Sequence, residues 1–398
     1  MQNMNIELPD SVALILRELN KHGHEAYAVG GCVRDAVMGR IPHDWDITTS
    51  AKPEEVKSIF HKTIDTGIQH GTVTVMINKV GYEVTTFRVD GKYGDGRHPD
   101  KVNFTANLTE DLKRRDFTIN AMAYSPKTGI VDEFGGIEDL KNKIIRCVGN
   151  PCERFDEDAL RILRAVRFSA QLDFEIEQNT YEAIKILKEN LIKISRERIQ
   201  TELEKLLMSD HPEKINTIFE TQIHKIIFPG TNISQGYRKV NKVRKEHYLR
   251  WAALLCETGT ESAALLKGLK FDNKTIDVVS RLVINGKSIP QTDERKVRVH
   301  ICKVGADIYE LYLEYVKNVM LYNTEDIEKI YKDIIQNKHC LSIKDMEIKG
   351  TDLKEIGINP GKEMGIILNS LFEKVLDNPE LNNRDTLLAM AEEQKNNV

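Results

Sequence analysis

The spacing of apolar residues in this 398-residue chain changes near residue 139, and that change limits the folds open to it. Short β-rich runs alternate with helical stretches in the first third, whereas residues 139–398 carry apolar side chains almost only at helical spacing. The chain is too long for one hydrophobic core, so several domains are expected. We predict an α+β fold, in which a small mixed β-sheet head precedes domains that are all helical.

The elements predicted for the head are short. Helices are predicted over residues 11–21 and 53–60, the second with Pro53 at its start. The strand predictions are residues 27–30, 45–48, 73–77 and 82–87.

Composition excludes several classes of protein. With 40% hydrophobic and 30% charged residues, the chain resembles a soluble globular protein. It has no run of about 18 apolar residues, and no basic region followed by an apolar stretch at its start, so neither a membrane span nor a secretory signal is predicted. Six cysteines form no CxxC pair, which favours free thiols in a reducing compartment. We therefore expect a cytoplasmic protein without a membrane partner.

Two aspartates two residues apart, Asp44 and Asp46, are the strongest chemical feature of the head. If this segment is a strand, both side chains project from one face, about 6–7 Å apart. Two such carboxylates bind hard divalent cations, and Mg²⁺ prefers these ligands together with substrate phosphates. A pair of ions could then act on the attacking and the leaving oxygen of a phosphoryl displacement. Glu83, on a predicted neighbouring strand, is a candidate third catalytic carboxylate.

An Asp-x-Asp tripeptide taken alone more often caps a surface turn. His43-Asp44 also matches the dipeptide of metal-dependent phosphohydrolases, although no second such dipeptide occurs. The preceding glycines favour a phosphate site, because Gly30 and Gly31 let the backbone approach a phosphate and a helix starting after them would direct its N–H groups at it. Arg34 adds a forked donor for phosphate oxygens.

Residues 155–171 predict one helix with an apolar face and a charged face. Asp158, Arg161 and Arg164 fall on the charged face, and Arg167 falls at its boundary. Asp158 only accepts hydrogen bonds and Arg161 only donates, so the pair suits the base edge that cytosine and adenine share and rejects uracil and guanine. Arg164 and Arg167 remain for stacking or phosphate contact. The alternative is a solvated face with i,i+3 ion pairs, which is the commoner arrangement on an arbitrary helix.

Five blocks of the chain resemble class II tRNA nucleotidyltransferases, the family of CCA-adding enzymes and bacterial poly(A) polymerases. In the family's order, the blocks are residues 30–46, 111–121, 132–136, 157–161 and 195–199. Each block alone is weak, but the ordered set is highly specific. The resemblance implies a template-independent enzyme that builds the CCA end of tRNA from CTP and ATP and releases pyrophosphate.

The resemblance also implies a role for particular residues. Two Mg²⁺ ions would be held by Asp44 and Asp46. The nucleotide would be bound by Gly30, Gly31 and Arg34, its ribose by Arg115 and Asp116, and its base within a pocket made by Asp158, Arg161, Arg164 and Arg167. Residues 132–136 would form a flexible spring, and residues 195–199 would brace the pocket helix.

Four domains are expected from the pattern and the resemblance together. They are a catalytic head (1–138), a neck with the base pocket (139–210), a body (211–290) and a tRNA-binding tail (291–398). The net charge of −4 does not indicate nucleic-acid binding by the whole chain, so basic patches have to be local. The candidates for contact with tRNA phosphates are Arg238, Lys239, Lys242, Arg244, Lys245 and Lys362, with a solvated surface as the alternative.

Several alternatives stay open at this point. Residues 90–99 resemble the flexible loop of complete CCA-adding enzymes, and Asp158-Ala-Leu-Arg161 matches that form better than the poly(A) polymerase form. Poly(A) polymerase and partial CC- or A-adding enzymes are the near alternatives, and a non-catalytic RNA-binding protein is a distant one. The sequence allows a monomer or a homodimer.

Overall fold

The computed structural model describes residues 5–90 and 102–395, which divide into two units. The first unit covers residues 1–231 and the second covers residues 232–398. The fourfold division expected from the sequence is finer than these units and stays a prediction. The glycine-rich stretch at residues 91–99, predicted as a flexible loop, lies outside the described residues.

The sheet in the first unit is mixed, as predicted, and its described strands follow the order β3-β4-β5-β2-β1-β8-β9. The strands are β1 (Ala26–Val29), β2 (Ile47–Thr49), β3 (Thr63–Gly67), β4 (Thr72–Ile77), β5 (Val80–Thr86), β8 (Ala123–Ser125) and β9 (Gly129–Val131). A separate antiparallel pair is formed by β6 (Arg88–Asp90) and β7 (Val102–Phe104). Strands β2 and β5 run parallel, with Ile47 opposite Val84, and the other neighbours in the large sheet are antiparallel.

Two helices cover one face of this sheet, as the apolar spacing predicts. They are α1 (Asp10–Lys21) and α3 (Pro53–Ile59). Helix α1 buries residues at helical spacing, which pack with the alternating valines of β4 and with Val84 of β5. The buried residues of α1 are Val12, Ile15, Leu16 and Leu19.

Short helices α2 (Gly31–Val37) and α4 (Leu108–Lys113) complete the head, and helices dominate the rest of the first unit. They are α5 (Gly136–Asn142), α6 (Pro151–Glu157), α7 (Leu160–Leu172), α8 (Gln178–Leu187), α9 (Arg196–Leu207), α10 (Asn216–Glu220) and α11 (His224–Ile227). A two-residue parallel pair, β10 (Ile144–Ile145) and β11 (Glu175–Ile176), is the only strand pairing among the described residues after β9.

The predicted single helix over residues 155–171 is wrong at one point. The chain leaves the helical conformation at Asp158, whose φ of −140° and ψ of 102° are extended, and α7 starts two residues later. The Oδ1 atom of Asp158 accepts a hydrogen bond from the backbone N of Leu160, the first residue of α7, at 3.0 Å. Asp158 and Arg161 therefore do not lie on one face of one helix.

The second unit is helical throughout its described residues. Its helices are α12 (His247–Leu254), α13 (Ser262–Gly268), α14 (Asn273–Asn285), α15 (Glu294–Val304), α16 (Tyr309–Asn318), α17 (Glu325–Gln336), α18 (Gly350–Glu355), α19 (Lys362–Asp377) and α20 (Arg384–Lys395). Helix α19 buries an apolar stripe at helical spacing, made of Met364, Ile367, Leu371 and Val375. No helix in the described part of the chain is both long and apolar enough to cross a bilayer.

We expect Leu16→Ala to lower the free energy of unfolding by about 2–5 kcal/mol, because the side chain is fully buried between α1 and the sheet and its removal leaves a cavity. The matched control is Arg17→Ala on the exposed side of the same helix, with an expected change within about 0.5 kcal/mol. Urea denaturation followed by circular dichroism measures both. Equal effects of the two substitutions would contradict the packing described here.

Candidate active site

The turn between β1 and α2 brings a backbone segment close to a guanidinium. Gly30 has a φ of +84°, a conformation that favours glycine, and a Cβ atom there would lie 3.0 Å from Nη1 of Arg115. Arg34, in α2, is buried and donates from Nη1 to Oδ1 of Asn120 at 2.7 Å, and it pairs with Asp35 at 2.8 Å. The predicted glycine turn before α2 is confirmed, and its backbone at Gly30 lies beside the guanidinium of Arg115.

The acidic residues Asp44, Asp46 and Glu83 line one cavity of about 670 Å³. The two aspartates lie just before β2 and not within it, so the assumption that they sit in a strand is wrong. The segment is nevertheless extended beside β1, because the carbonyl of Asp46 accepts from the backbone N of Val29 at 3.0 Å. Both aspartates face the same space, as the sequence predicts.

The charges around this cavity repel one another. The side chain of Asp46 is in contact with the solvent in the cavity. Desolvation by the surrounding protein and the charge of Asp44 nevertheless raise the pKa of Asp46, whereas the charge of Arg115 lowers it. The net shift of this pKa is upward. The pKa of Glu83 is also raised, by partial burial and by the charges of Asp46 and Asp44. A cation bound among these oxygens would relieve that repulsion, so the residues fit a divalent metal ion.

The described residues supply only part of a metal coordination sphere. No three His, Cys, Asp or Glu side chains in residues 5–90 and 102–395 come together closely enough to hold one ion. Glu83 therefore shares the cavity with Asp44 and Asp46 without completing a three-ligand set. Any ion bound by the aspartate pair needs further oxygens from a substrate or from water.

The three-residue turn Arg114–Arg115–Asp116, after α4, links the acidic cavity to helix α7. On one side, Arg115 lies near enough to Asp46 to lower the pKa of that carboxyl. On the other side, Arg164 of α7 donates from Nε and Nη2 to Oδ2 of Asp116 at 2.8 and 2.6 Å. The backbone of the turn takes part as well, because Nη2 of Arg161 donates to the carbonyl of Arg114 at 3.0 Å.

Asp116 is buried, and its other oxygen is occupied too. Its Oδ1 atom accepts from the backbone N of Phe117 at 2.8 Å and from Nδ2 of Asn120 at 3.1 Å. Burial alone would raise the pKa of Asp116, but the charge of Arg164 and these hydrogen bonds lower it to about 2. The carboxylate is therefore ionised at neutral pH.

Asp158 and Arg161 are held by separate partners and not by each other. The Oδ2 atom of Asp158 accepts from Nη2 of Arg198 at 2.8 Å. Arg161 is buried and donates from Nη1 to the carbonyl of Arg154 at 3.0 Å and to Glu157 at 2.7 Å. Residues 195–199 thus contact Asp158, which lies just before α7, through Arg198. Of the pair, Arg161 contacts the Arg114–Asp116 turn, and hydrogen bonds hold both side chains.

An aromatic ring lies among three of the predicted nucleotide-binding arginines. The guanidinium carbons of Arg34, Arg164 and Arg167 lie 5.3, 5.3 and 3.9 Å from the ring centroid of Phe168. These distances are within the range of cation–π attraction. Glu202 of α9 balances part of the positive charge, because Nε of Arg167 donates to its Oε2 atom at 2.5 Å.

Sequence reasoning missed four buried residues that hold this site. They are Asp111, Asn120, Phe168 and Glu202. Glu202 could have been recognised from the sequence, because it is a charged residue on the buried face of α9, between Ile199 and Leu206. The same holds for Asn120, because it is a polar residue within the apolar run at residues 117–123.

The candidate RNA-binding residues are mostly on the surface of the second unit. Arg238, Lys242, Arg244 and Lys245 are exposed, Lys239 is half-buried, and Lys362 is the exposed first residue of α19. The segment is not one continuous helix, because short 3₁₀ turns at residues 236–238 and 240–242 precede α12. Arg244 already forms an ion pair with Glu314, whereas Arg238 donates to the hydroxyl of Tyr237 at 2.9 Å.

Comparison with known proteins gives matches along nearly the whole chain. The CCA-adding enzyme of Ligilactobacillus salivarius is 40% identical over 391 residues, which covers 95% of this chain and 94% of that protein. The chain belongs to the family of CCA-adding enzymes. It is therefore a tRNA-processing nucleotidyltransferase, in agreement with the resemblance seen in the sequence motifs.

Other comparisons agree with membership in the CCA-adding enzyme family. The CCA-adding enzyme of Leuconostoc mesenteroides is 40% identical over 388 residues, covering 96% of both chains. Family models match residues 26–146 ("Poly A polymerase head domain"), residues 173–234 ("Probable RNA and SrmB- binding site of polymerase A") and residues 243–391 (tRNA nucleotidyltransferase domain 2).

Solved structures show that the fold is shared. The CCA-adding enzyme of Bacillus stearothermophilus, solved in complex with CTP, is 32% identical with a TM-score of 0.82 and covers 97% of each chain. The enzyme of Thermotoga maritima, solved with tRNA, is 22% identical with a TM-score of 0.67 over 99% of this chain and 97% of that one. The α+β prediction, with a small mixed sheet followed by helices, is confirmed.

The low pKa of Asp116 predicts a pH-dependent stability. A carboxyl with a lowered pKa in the folded state stabilises the fold above its ordinary pKa of 3.8, and this contribution is lost as the pH falls toward about 2. We expect the difference in unfolding free energy between the wild type and Asp116→Asn to shrink by about 2 kcal/mol between pH 5 and pH 2. Urea denaturation at several pH values measures it, and parallel pH curves for the two proteins would contradict the ion pair.

Proposed function

We propose that this CCA-family enzyme adds C, C and A in turn to the 3′ end of tRNA, using CTP and ATP and releasing pyrophosphate. The observation that carries the proposal is the Arg114–Asp116 turn, in which Arg115 lies near enough to Asp46 to lower the pKa of that carboxyl and Asp116 pairs with Arg164 of α7. One bound nucleotide could therefore have its triphosphate at the aspartates and its base near α7.

We propose that Asp44 and Asp46 hold two Mg²⁺ ions. Bound ions of this kind promote ionisation of the attacking 3′-hydroxyl and neutralise charge on the triphosphate. The two aspartates orient this region of the substrate, and Glu83, which lies beside them on the neighbouring strand β5, adds negative charge to the cavity. Protonation of Asp46 or Glu83 would compete with cation binding, and their raised pKa values indicate that this competition begins at a higher pH than for ordinary carboxyls.

The nucleotide would be held by residues on both sides of the turn. Gly30, Gly31 and Arg34 bind the triphosphate, with Gly30 permitting the close approach of backbone. Arg115 and Asp116 hold the ribose, which favours ribonucleotides.

The base would be read by the residues at the start of α7. Asp158 accepts from the exocyclic amino group that cytosine and adenine share, since each of its oxygens can accept a second hydrogen bond. Arg161 donates to the ring nitrogen of that edge, and uracil or guanine would leave buried groups without partners. Arg164 and Arg167 complete the pocket by stacking or phosphate contact.

The partner that receives the nucleotides would bind the second unit as well. The relatives include an enzyme solved with tRNA, and exposed basic residues of this unit suit contact with RNA phosphates. In this proposal the contacts come from Arg238, Lys239, Lys242, Arg244, Lys245 and Lys362. A monomer and a homodimer are both compatible with the proposal, and we expect the enzyme in the cytoplasm.

Poly(A) polymerase is the second candidate function, favoured by the match of residues 26–146 to the head domain of that enzyme class. The two functions differ in the nucleotide that they add. Incorporation of CTP supports the proposed function, whereas repeated incorporation of ATP alone supports poly(A) addition.

We expect a tRNA transcript that lacks its CCA end to be extended by two nucleotides with CTP alone and by three with CTP and ATP together, as read on a sequencing gel. Asp44→Ala with Asp46→Ala should reduce extension to the level without enzyme and leave tRNA binding intact, because the aspartates act on the triphosphate. The matched control is Asp65→Ala, an exposed carboxylate of β3 that pairs with Lys57, and it should extend tRNA at the wild-type rate.

Two results would overturn these assignments. Extension by the double variant at the rate of Asp65→Ala would remove the aspartate pair from the site. Extension with ATP alone and none with CTP would replace the proposed function by poly(A) addition.

A further inference from the structure

Asp111, in α4, is a fully buried carboxylate to which no role has been given above. Five donors surround it. Its Oδ1 atom accepts from Nε and Nη2 of Arg114 at 3.0 and 2.8 Å and from the backbone N of Arg88 at 3.3 Å. Its Oδ2 atom accepts from Oγ1 of Thr48 at 3.2 Å and from Nη2 of Arg115 at 3.3 Å.

The partners of Asp111 belong to functionally distinct segments. Thr48 lies in β2, two residues after Asp46 of the acidic pair. Arg115 lies in the turn that we propose to hold the ribose. Because Thr48 and Arg115 donate to the same Oδ2 atom, that oxygen ties the strand after the acidic pair directly to the ribose-binding turn.

The position of Arg115 depends on this contact. Its guanidinium forms an ion pair with Asp111 and lies close to the backbone of Gly30. It is also near enough to Asp46 to lower the pKa of that carboxyl. An arginine side chain has several rotatable bonds, so a fixed position requires a partner that offsets the lost side-chain entropy. Asp111 is the carboxylate with which Arg115 forms its ion pair at 3.3 Å, and Asp111 is itself fixed by burial.

We propose that Asp111 is a positioning residue that aligns Arg115 with the acidic pair and so sets the ribose of the incoming nucleotide relative to the reacting phosphate. This role rests on the proposed function, in which Arg115 and Asp116 hold the ribose. Asp111 touches no substrate in this scheme.

The substitution that tests this role is Asp111→Asn. Asparagine keeps the shape and one acceptor oxygen, but it loses the charge and turns an amide N–H₂ toward Thr48 and Arg115, which are donors. Arg115 should then leave its position beside Asp46. We expect KM for CTP to rise about 10-fold, and the preference for CTP over 2′-deoxy-CTP, measured as the ratio of kcat/KM values, to fall about 10-fold.

The matched control is Asp139→Asn. Asp139 is another buried carboxylate of the first unit that accepts from a threonine hydroxyl and an arginine, Thr118 at 2.6 Å and Arg146 at 3.1 Å. We have assigned it no part in binding or catalysis. It should lower stability while leaving KM for CTP and the ribose preference of the folded enzyme unchanged.

The outcomes separate a positioning role from a structural one. A fall in ribose preference for Asp111→Asn and not for Asp139→Asn supports the proposal. An Asp111→Asn enzyme with the wild-type preference and KM, whatever its stability, overturns it. A wild-type chain that does not incorporate CTP overturns the proposed function and this role together. If the wild type does incorporate CTP, a failed prediction for Asp111→Asn overturns only the positioning role of Asp111.

If Asp111→Asn does not fold, Thr48→Val decides in its place. Valine keeps the volume of threonine but removes the hydroxyl that donates to Asp111, and Thr48→Ser retains that hydroxyl. A smaller fall in ribose preference, about 3-fold, in Thr48→Val with recovery in Thr48→Ser supports the proposal. A folded Thr48→Val enzyme with the wild-type preference overturns it.

Discussion

The ion pair between Asp116 and Arg164 is the interaction on which the site in the first unit depends. It joins the turn after α4 to helix α7, and these segments are 48 residues apart in sequence. A buried carboxylate is stable only with donors around it, and loss of one member of such a pair typically costs about 3–5 kcal/mol. The pair therefore fixes helix α7 against the turn that follows α4.

Further contacts extend the pair in both directions. Asn120 contacts Asp116 on one side and Arg34 on the other, so the buried arginine of α2 belongs to the same network. Glu202 holds Arg167, and its Oε1 atom lies 3.9 Å from Arg164. Carboxylates and arginines alternate through this network, which keeps several positive charges close together without strong repulsion. Such a cluster of arginines is suited to a substrate with many phosphate oxygens.

The sequence predicted the local features of the fold well. Strand and helix positions in the head follow from the two periods of apolar residues, and the glycine turn follows from a conformation that only Gly30 adopts easily. The break at Asp158 was not predicted, because helical spacing continues on both sides of it and a helical wheel assumes an unbroken backbone. Asp158 instead lies in the break between α6 and α7, where its carboxylate accepts from the backbone N of Leu160.

The network around the ion pair could not be predicted because its contacts are distant in sequence. Arg34 and Asn120 are 86 residues apart, and Arg167 and Glu202 are 35 apart, so no local pattern relates them. The sequence motifs drew attention to Arg34 and Arg164, which lie in this network, and left out the residues that connect them. Polar residues in otherwise apolar surroundings, at Glu202 and Asn120, were the local signs.

The crowding at Gly30 restricts how this enzyme could be redesigned. Any larger residue there would be strained by the positive φ and would push against the guanidinium of Arg115. The turn between β1 and α2 is thus closed to larger side chains, and any redesign of the residues around Arg115 has to leave Gly30 unchanged. Evolution on this scaffold faces the same restriction at Gly30.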